Sequence, residues 1–212
     1  MPKISQEESF ARRDQVIDAC EALYRTQGYH DITMAKIAEG VSFGRANIYN
    51  YFQNKDEVFL ALLRRENEMW AEDLTALEHE VADKPLSFDD AALAQSLAAT
   101  LERRTPMLKL LATSIFDMEQ FSRHERLVEL KVAYGATLVA LRSLLHAAKP
   151  SWGEARIERF VISFMPYLHG VYPYVFHSDK QLAAMKDAGV PELGLSVADM
   201  AGTCALMLLQ ED

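Results

Sequence analysis

Apolar residues recur at helical spacing along almost the whole chain, and nowhere do they alternate with the period of two that a half-buried strand needs. Val16, Ala19, Cys20, Leu23 and Tyr24 fall on one stripe. They predict a first helix over about residues 9 to 27, with Gly28 placed to stop it in the left-handed conformation. Two short segments follow, 34 to 40 and 44 to 52; Ile37, Ala38 and Val41 face inward from the first, Ile48 and Phe52 from the second. The link between them suits only two helices crossing at an angle. Asn54, with Glu57 three residues on, has the spacing of a capping box. It opens a long helix with Leu63, Trp70, Leu74, Leu77 and Val81 on one seam, running to about Ala82 before Asp83-Lys84-Pro85 breaks it.

The remainder punctuates itself in the same way. Ser87 with Asp90, Ser122 with Glu125, Ser151 with Glu154, Ser178 with Gln181 and Ser196 with Asp199 each set a hydroxyl three residues ahead of an acid or amide, the signature of a helix start. Thr105-Pro106 reads as an N-cap followed by the first helical residue, and Lys149-Pro150 ends a helix that begins near Arg123. Pro166 and Pro173 are expected to kink or divide the segment from 152 to 177. The expectation is an all-α chain of nine or ten helices without a sheet.

Function is sought on the polar face of the segment 44 to 52. Arg45, Asn47, Tyr49, Asn50 and Tyr51 crowd it, and Lys55 follows. Arg can bond a guanine edge or a phosphate, Asn an adenine edge, and Tyr and Lys commonly take phosphate oxygens. Thr33 stands where an N-cap belongs for the preceding helix, and a helix start with a hydroxyl suits a phosphate. By spacing alone, an ordinary helical corner with a polar solvent face has the same pattern.

The run IAEGVSFGRANIYNYFQNKDEVF, residues 37 to 59, follows an amphipathic helix that ends in Gly28-Tyr29. Together they resemble the DNA-binding domain of the TetR/AcrR family of bacterial transcriptional regulators over about residues 9 to 63. Ile37-Ala38, Tyr49, Phe52 and Lys55 match that family's motif at its own spacing. The resemblance implies a helix-turn-helix with Arg45, Asn47 and Asn50 near bases and Thr33, Tyr49, Tyr51 and Lys55 near phosphates. The turn departs from the pattern, because Ser42-Phe43-Gly44 replaces the usual Gly-Val-Ser. Either Ser42 caps a recognition helix that begins early, or Gly44 caps it without a side chain.

Composition adjusts this picture. The net charge is −9, from 31 acidic against 22 basic residues, which argues against a protein that coats nucleic acid non-specifically. Residues 32 to 55 nevertheless carry Lys36, Arg45 and Lys55 against Glu39 alone, leaving a small basic face on an acidic body. The two cysteines, Cys20 and Cys204, fall on apolar helix faces and are expected as free buried thiols. No stretch reaches the length of a membrane span and no leader is evident, so a soluble cytoplasmic protein is expected.

The division expected is a helix-turn-helix DNA-binding domain at 1–55 and a helical-bundle domain for ligand binding and dimerisation at 56–212. The bundle is rich in aromatic and sulfur side chains. Trp70, Met107, Phe116, Phe121, Tyr134, Tyr167 and His169 are candidates to line an effector cavity, although core packing is the plainer account of any one such residue. A dimer seam is expected at 152 to 171 and 197 to 209, where the last helix offers Met200, Cys204, Met207 and Leu208 with little charge. The histidines show no metal-binding spacing and no G-x-S-x-G elbow is present, so neither an enzyme nor a metal or other cofactor is expected. The chain reads as a homodimeric repressor released from a palindromic DNA operator by a small molecule. The alternative is an all-helical small-molecule-binding protein whose DNA reader has weakened.

Overall fold

The computed structural model describes residues 5–84, 88–113 and 115–210. Among the described residues ten α-helices are formed: α1 (Gln6–Tyr24), α2 (Met34–Glu39), α3 (Lys55–Asp83), α4 (Asp90–Glu102), α5 (Thr105–Leu111), α6 (Ile115–Gln120), α7 (His124–Ala148), α8 (Glu154–Val175), α9 (Asp179–Ala188) and α10 (Val197–Gln210). Two short 3-10 helices, Tyr29–Asp31 and Arg45–Asn50, complete the elements, and no strand occurs among the described residues. The all-α expectation is met. Contacts divide the chain into two compact units, one of residues 1–66 and 113–134, the other of 67–112 and 135–212. The first therefore takes in more than the 1–55 segment set apart by sequence.

In the first unit, α1 and α2 pack together and enclose Val16, Ile17, Cys20, Tyr24, Ile32 and Ile37 with the opening turns of α3, which bring Val58, Phe59 and Leu62. Tyr24 meets Phe59 edge-on, with ring centroids 5.1 Å apart. Helix α1 starts three residues earlier than expected because Ser5 caps it, its side chain accepting from Glu8 N–H at 3.1 Å. It also ends earlier. The N–H groups of Thr26 and Gln27 both turn back to Leu23 O, so the end carbonyl is satisfied before Gly28 is reached. Gly28 is not left-handed; it has φ −77° and precedes the short 3-10 helix.

In the second unit, α10 lies against both α4 and α8. The small residues Ala94 and Ala98 on α4 and Ala201 and Ala205 on α10 are buried, which lets two backbones approach closely. Trp70 is fully buried and donates to Thr100 Oγ1 at 2.9 Å. The seam Leu74, Leu77 and Val81 is buried as anticipated.

Several expected caps are replaced. Ser178 and Gln181 form the full capping box of α9, and Ser196 with Asp199 makes the reciprocal bonds that open α10. At α4 the cap is Asp89, accepting from Ala92 N–H; Ser87 lies outside the described residues. Ser122 bonds Met118 O instead of capping α7, and α8 starts at Gly153 without help from Ser151. Arg104, not Thr105, is the N-cap of α5. Pro166 and Pro173 do not divide α8, which runs through both. Each removes the bond to the carbonyl four residues earlier, at Ile162 and His169. Both of those residues are exposed, so water can take the freed carbonyls.

Candidate nucleic-acid interface

Thr33 caps α2 as expected, its Oγ1 accepting from Lys36 N–H at 3.3 Å. Helix α2 ends at Gly40, where a Cβ would stand 2.7 Å from Ala19 Cβ of α1. A closer fit of the two helices needs this glycine for space. The turn that follows is then docked on α1: Ser42 donates its hydroxyl to Gln15 Oε1 at 2.8 Å. Phe43 lies under the Arg12 guanidinium, 5.3 Å from its ring centroid, and edges toward Tyr51 at 6.1 Å. Ser42 is thus engaged elsewhere, and Gly44 is the N-cap of the next element with no side-chain bond.

That element, Arg45–Asn50, is a 3-10 helix and not the α-helix expected over 44 to 52. Its tighter winding places residues three apart on one edge. Ile48 is buried, while Asn47 with Asn50 and Ala46 with Tyr49 form two exposed edges and Arg45 stands exposed at the start. Phe52, just beyond, is buried. The element therefore hides its apolar residues and leaves one basic, two amide and one phenolic side chain free.

The chain behind this element is held by charge. Two guanidiniums, of Arg13 and Arg126, lie 5.6 and 5.9 Å from the Phe52 ring centroid. Both donate to Glu129, Arg126 at 2.5 Å. Glu57 is buried, and its carboxylate accepts from Gln53 N–H at 2.8 Å and from Arg123 through Nε at 2.6 Å, Nη2 at 2.7 Å and the backbone N–H at 3.2 Å. Burial would raise the Glu57 pKa, yet the bonds from Arg123 and Gln53 outweigh it and hold the carboxyl below its ordinary value. Glu129 is lowered in the same way, desolvation being outweighed by Arg13 and Arg126. None of these partners was singled out by sequence as a site residue. The Glu57 spacing was visible, but its carboxylate reaches Gln53 N–H and not Asn54 N–H, and Arg123 lies 66 positions away.

Of the seven residues expected to meet DNA, Thr33, Arg45, Asn47, Tyr49 and Asn50 are exposed and Tyr51 is half-buried. Lys55 differs. Its ammonium donates to Tyr29 O at 2.9 Å and Ile32 O at 3.3 Å and lies 4.1 Å from the Tyr29 ring centroid, so it ties α3 to the segment before α2.

Residues 16–62 match the family model described as bacterial regulatory proteins, tetR family, and residues 64–210 match that of the tetracyclin repressor-like C-terminal domain. The chain belongs to the TetR family. It is 29% identical over 106 residues to an HTH-type transcriptional repressor of Mycobacterium tuberculosis, a match covering 48% of this chain and 57% of the relative. It is 31% identical over 72 residues to the repressor AcnR of Corynebacterium diphtheriae, covering 34% of this chain and 38% of AcnR. With the probable regulator ArpR of Pseudomonas putida, 28% identity extends over 81% of this chain and 83% of ArpR.

Within the segment matching the TetR C-terminal domain, the seven residues expected around an effector have different settings. Trp70 and Met107 are core, Tyr167 is half-buried with its hydroxyl on Met200 O at 3.3 Å, and His169 is exposed. Phe116, Phe121 and Tyr134 belong to the first unit and are exposed. Among the other concavities in the second unit of this TetR-family chain, two have mostly apolar linings. One, of about 650 Å³, is an open groove between α3 and α7 lined by Ala71, Ala76, Ala136, Val139 and Ala140, with Glu72, Thr75, Glu78, His79 and Ser143 as its polar side chains. The other, of about 420 Å³, is lined by Pro173, Tyr174, His177, Met185 and Leu193. Among the described residues no three His, Cys, Asp or Glu side chains come together to hold a metal ion. No helix among them is long and apolar enough to cross a membrane.

Proposed function

We propose that this TetR-family chain is a sequence-specific DNA-binding transcriptional regulator, a cytoplasmic homodimeric repressor that leaves a palindromic operator when a small molecule binds. The DNA-binding domain is placed at 1–55 and the regulatory and dimerising domain at 56–212. One observation carries the reading. The element Arg45–Asn50 buries Ile48 and presents Arg45, Asn47, Tyr49 and Asn50 to solvent, and Thr33 is exposed at the capped start of α2. Arg45, Asn47 and Asn50 are assigned to base edges and Thr33, Tyr49 and Tyr51 to phosphates. A phosphate at Lys55 would have to draw its ammonium from two carbonyls, so its contribution is chiefly to hold the reader.

A single short element makes few base contacts, and two related by a two-fold axis would read a palindrome. Apolar side chains suited to such a seam are free on α8 and α10, where Ile162 is 64% and Met207 68% exposed. Val197, Ala201, Ala205 and Leu209 fill the opposite face of α10. The effector is assigned to the second unit, where the groove between α3 and α7 falls within the size of small-molecule sites. Helix α3 contributes residues to both units, and is the natural carrier of a signal from effector to reader.

The second reading, a helical small-molecule-binding protein with a weakened reader, is favoured by the 3-10 winding and the uncapped start at Gly44. Selection of random duplexes by the purified chain at near-physiological salt separates the two. An enriched palindrome whose affinity falls steeply with salt supports the dimeric reader. Arg45→Ala is then expected to relax one position of the half-site, costing about 1–3 kcal/mol. Absence of any enrichment, in the presence and absence of candidate effectors, leaves the second reading.

A further inference from the structure

The stretch joining the reader to α3 carries more polar fastening than a chain reversal requires. Tyr51 ends the 3-10 helix, and its carbonyl accepts from Arg123 Nη2 at 3.1 Å. Two residues on, the Gln53 N–H donates to Glu57. Asn54 then uses both ends of its amide: Oδ1 accepts from Glu57 N–H at 3.0 Å, and Nδ2 donates to Phe121 O at 2.7 Å. Both acceptor atoms of the Glu57 carboxylate are filled, and three of the four bonds come from Arg123.

We infer that Arg123, acting through Glu57, is the positioning residue of the DNA reader: it fixes the exit of the Arg45–Asn50 element and so the orientation in which its side chains meet DNA. The inference rests on the reading of that element as a DNA reader. Four features carry it. Glu57 is fully buried while the Arg123 side chain is 35% exposed, so the buried charge needs its partner, and such a pair is favourable only when its geometry is good and its remaining lone pairs are filled. Both conditions hold here. Arg123 meets the carboxylate through Nε and Nη2 together, a two-pronged geometry that a lysine cannot reproduce. The same guanidinium reaches the carbonyl of Tyr51, one residue beyond the reader. Finally, a 3-10 helix has poorer hydrogen-bond geometry than an α-helix, and Gly44 offers no side-chain cap at the other end; the reader depends on its exit for rigidity. A reader held in one orientation does not lose ordering entropy when it binds, and that entropy would otherwise subtract from affinity for the correct sequence.

The test uses the full chain and the duplex that it enriches from a random pool, with a scrambled duplex of the same length as the control. Affinities of wild type, Arg123→Gln, Arg123→Lys and Glu57→Gln are measured for both duplexes across a salt series, beside the thermal melting of each protein. Arg123→Gln is expected to lose roughly ten- to a hundred-fold for the enriched duplex, the size of a charge-assisted bond. Its scrambled-duplex affinity and salt slope should stay at wild-type values, and Arg123→Lys should recover part of the loss. Glu57→Gln should match Arg123→Gln, although its amide never approaches DNA. Wild-type affinity in Arg123→Gln overturns the inference. So does a loss shared by both duplexes with a flatter salt slope, which would make Arg123 a phosphate contact. A loss that disappears when affinity is referred to the folded fraction makes the pair a fold-stabilising one only, and also overturns it. If the wild type enriches no duplex, the DNA reading itself fails and takes the inference with it; that outcome is distinct because it precedes any variant.

Discussion

At Gly40 the chain needs the absence of a side chain and not a special backbone. Its φ is −91°, open to any residue, while an added Cβ would press on Ala19 at 2.7 Å. Neither atom belongs to a flexible side chain, so α2 would have to move off α1. Gly40→Ala is expected to destabilise the chain by about 1–3 kcal/mol, the usual cost of overpacking. Gly44→Ser is the contrast. Nothing lies within 4 Å of its Cβ position, φ is −62°, and the hydroxyl would supply the missing cap for a few tenths of a kcal/mol. Urea unfolding of both variants decides the matter, and a Gly40→Ala as stable as wild type would refute the close approach. The exposed chemistry of the reader was legible in sequence, since Arg45, Asn47, Tyr49 and Asn50 alternate with Ile48 in a way that leaves them outside. The direction of Lys55 was not. Its partners Tyr29 O and Ile32 O lie 26 and 23 residues earlier, and no local pattern announces a contact of that separation.

Among the elements, α7 shows how a helix can be read correctly and its purpose missed. Its extent was close to expectation, but its opening residues do not cap it with Ser122; Arg123, Arg126 and Glu129 reach instead to α3, Phe52 and α1. Glu57 and Glu129 both have lowered pKa values in the folded chain. The stability they contribute is complete above the unfolded glutamate value, about 4.5, and is lost as pH falls through the lower folded values. Melting temperature is therefore expected to fall steeply below about pH 4.5 and to fall less steeply in Glu129→Gln; parallel curves would show that the Glu129 pairs add nothing. Helix type is a second case. Apolar spacing at Ile48 and Phe52 fits a winding of 3.6, yet Arg45–Asn50 is wound as a 3-10 helix, entered from a turn whose Ser42 and Phe43 are held by Gln15 and Arg12. The prolines do not divide α8; whether a helix runs through a proline depends on where the freed carbonyl finds a partner, which the sequence does not state.

At the scale of the whole molecule, most of the helices and the absence of strands among the described residues followed from periodicity, although Thr105, Ser122 and Ser151 do not cap as expected and α6 was not foreseen. The composition of the two units did not. The first is completed by residues 113–134, whose attachment runs through long-range pairs such as Arg13 with Glu129. A different consequence follows from the thiols. Each unit holds one cysteine, Cys20 in the first and Cys204 in the second. Burial pushes the Cys20 thiol up to about 12, so it has almost no thiolate at neutral pH and no access for a reagent, whereas Cys204 is only half-buried. Burial raises the Cys204 thiol as well, and the proposed dimer seam would cover it, so a thiol reagent should modify Cys204 first in the monomer, and Cys20 only at the rate at which the first unit opens. Equal rates would contradict the buried placement of Cys20. The chain carries its own pair of clocks, one per unit, and the slow one times the reader alone.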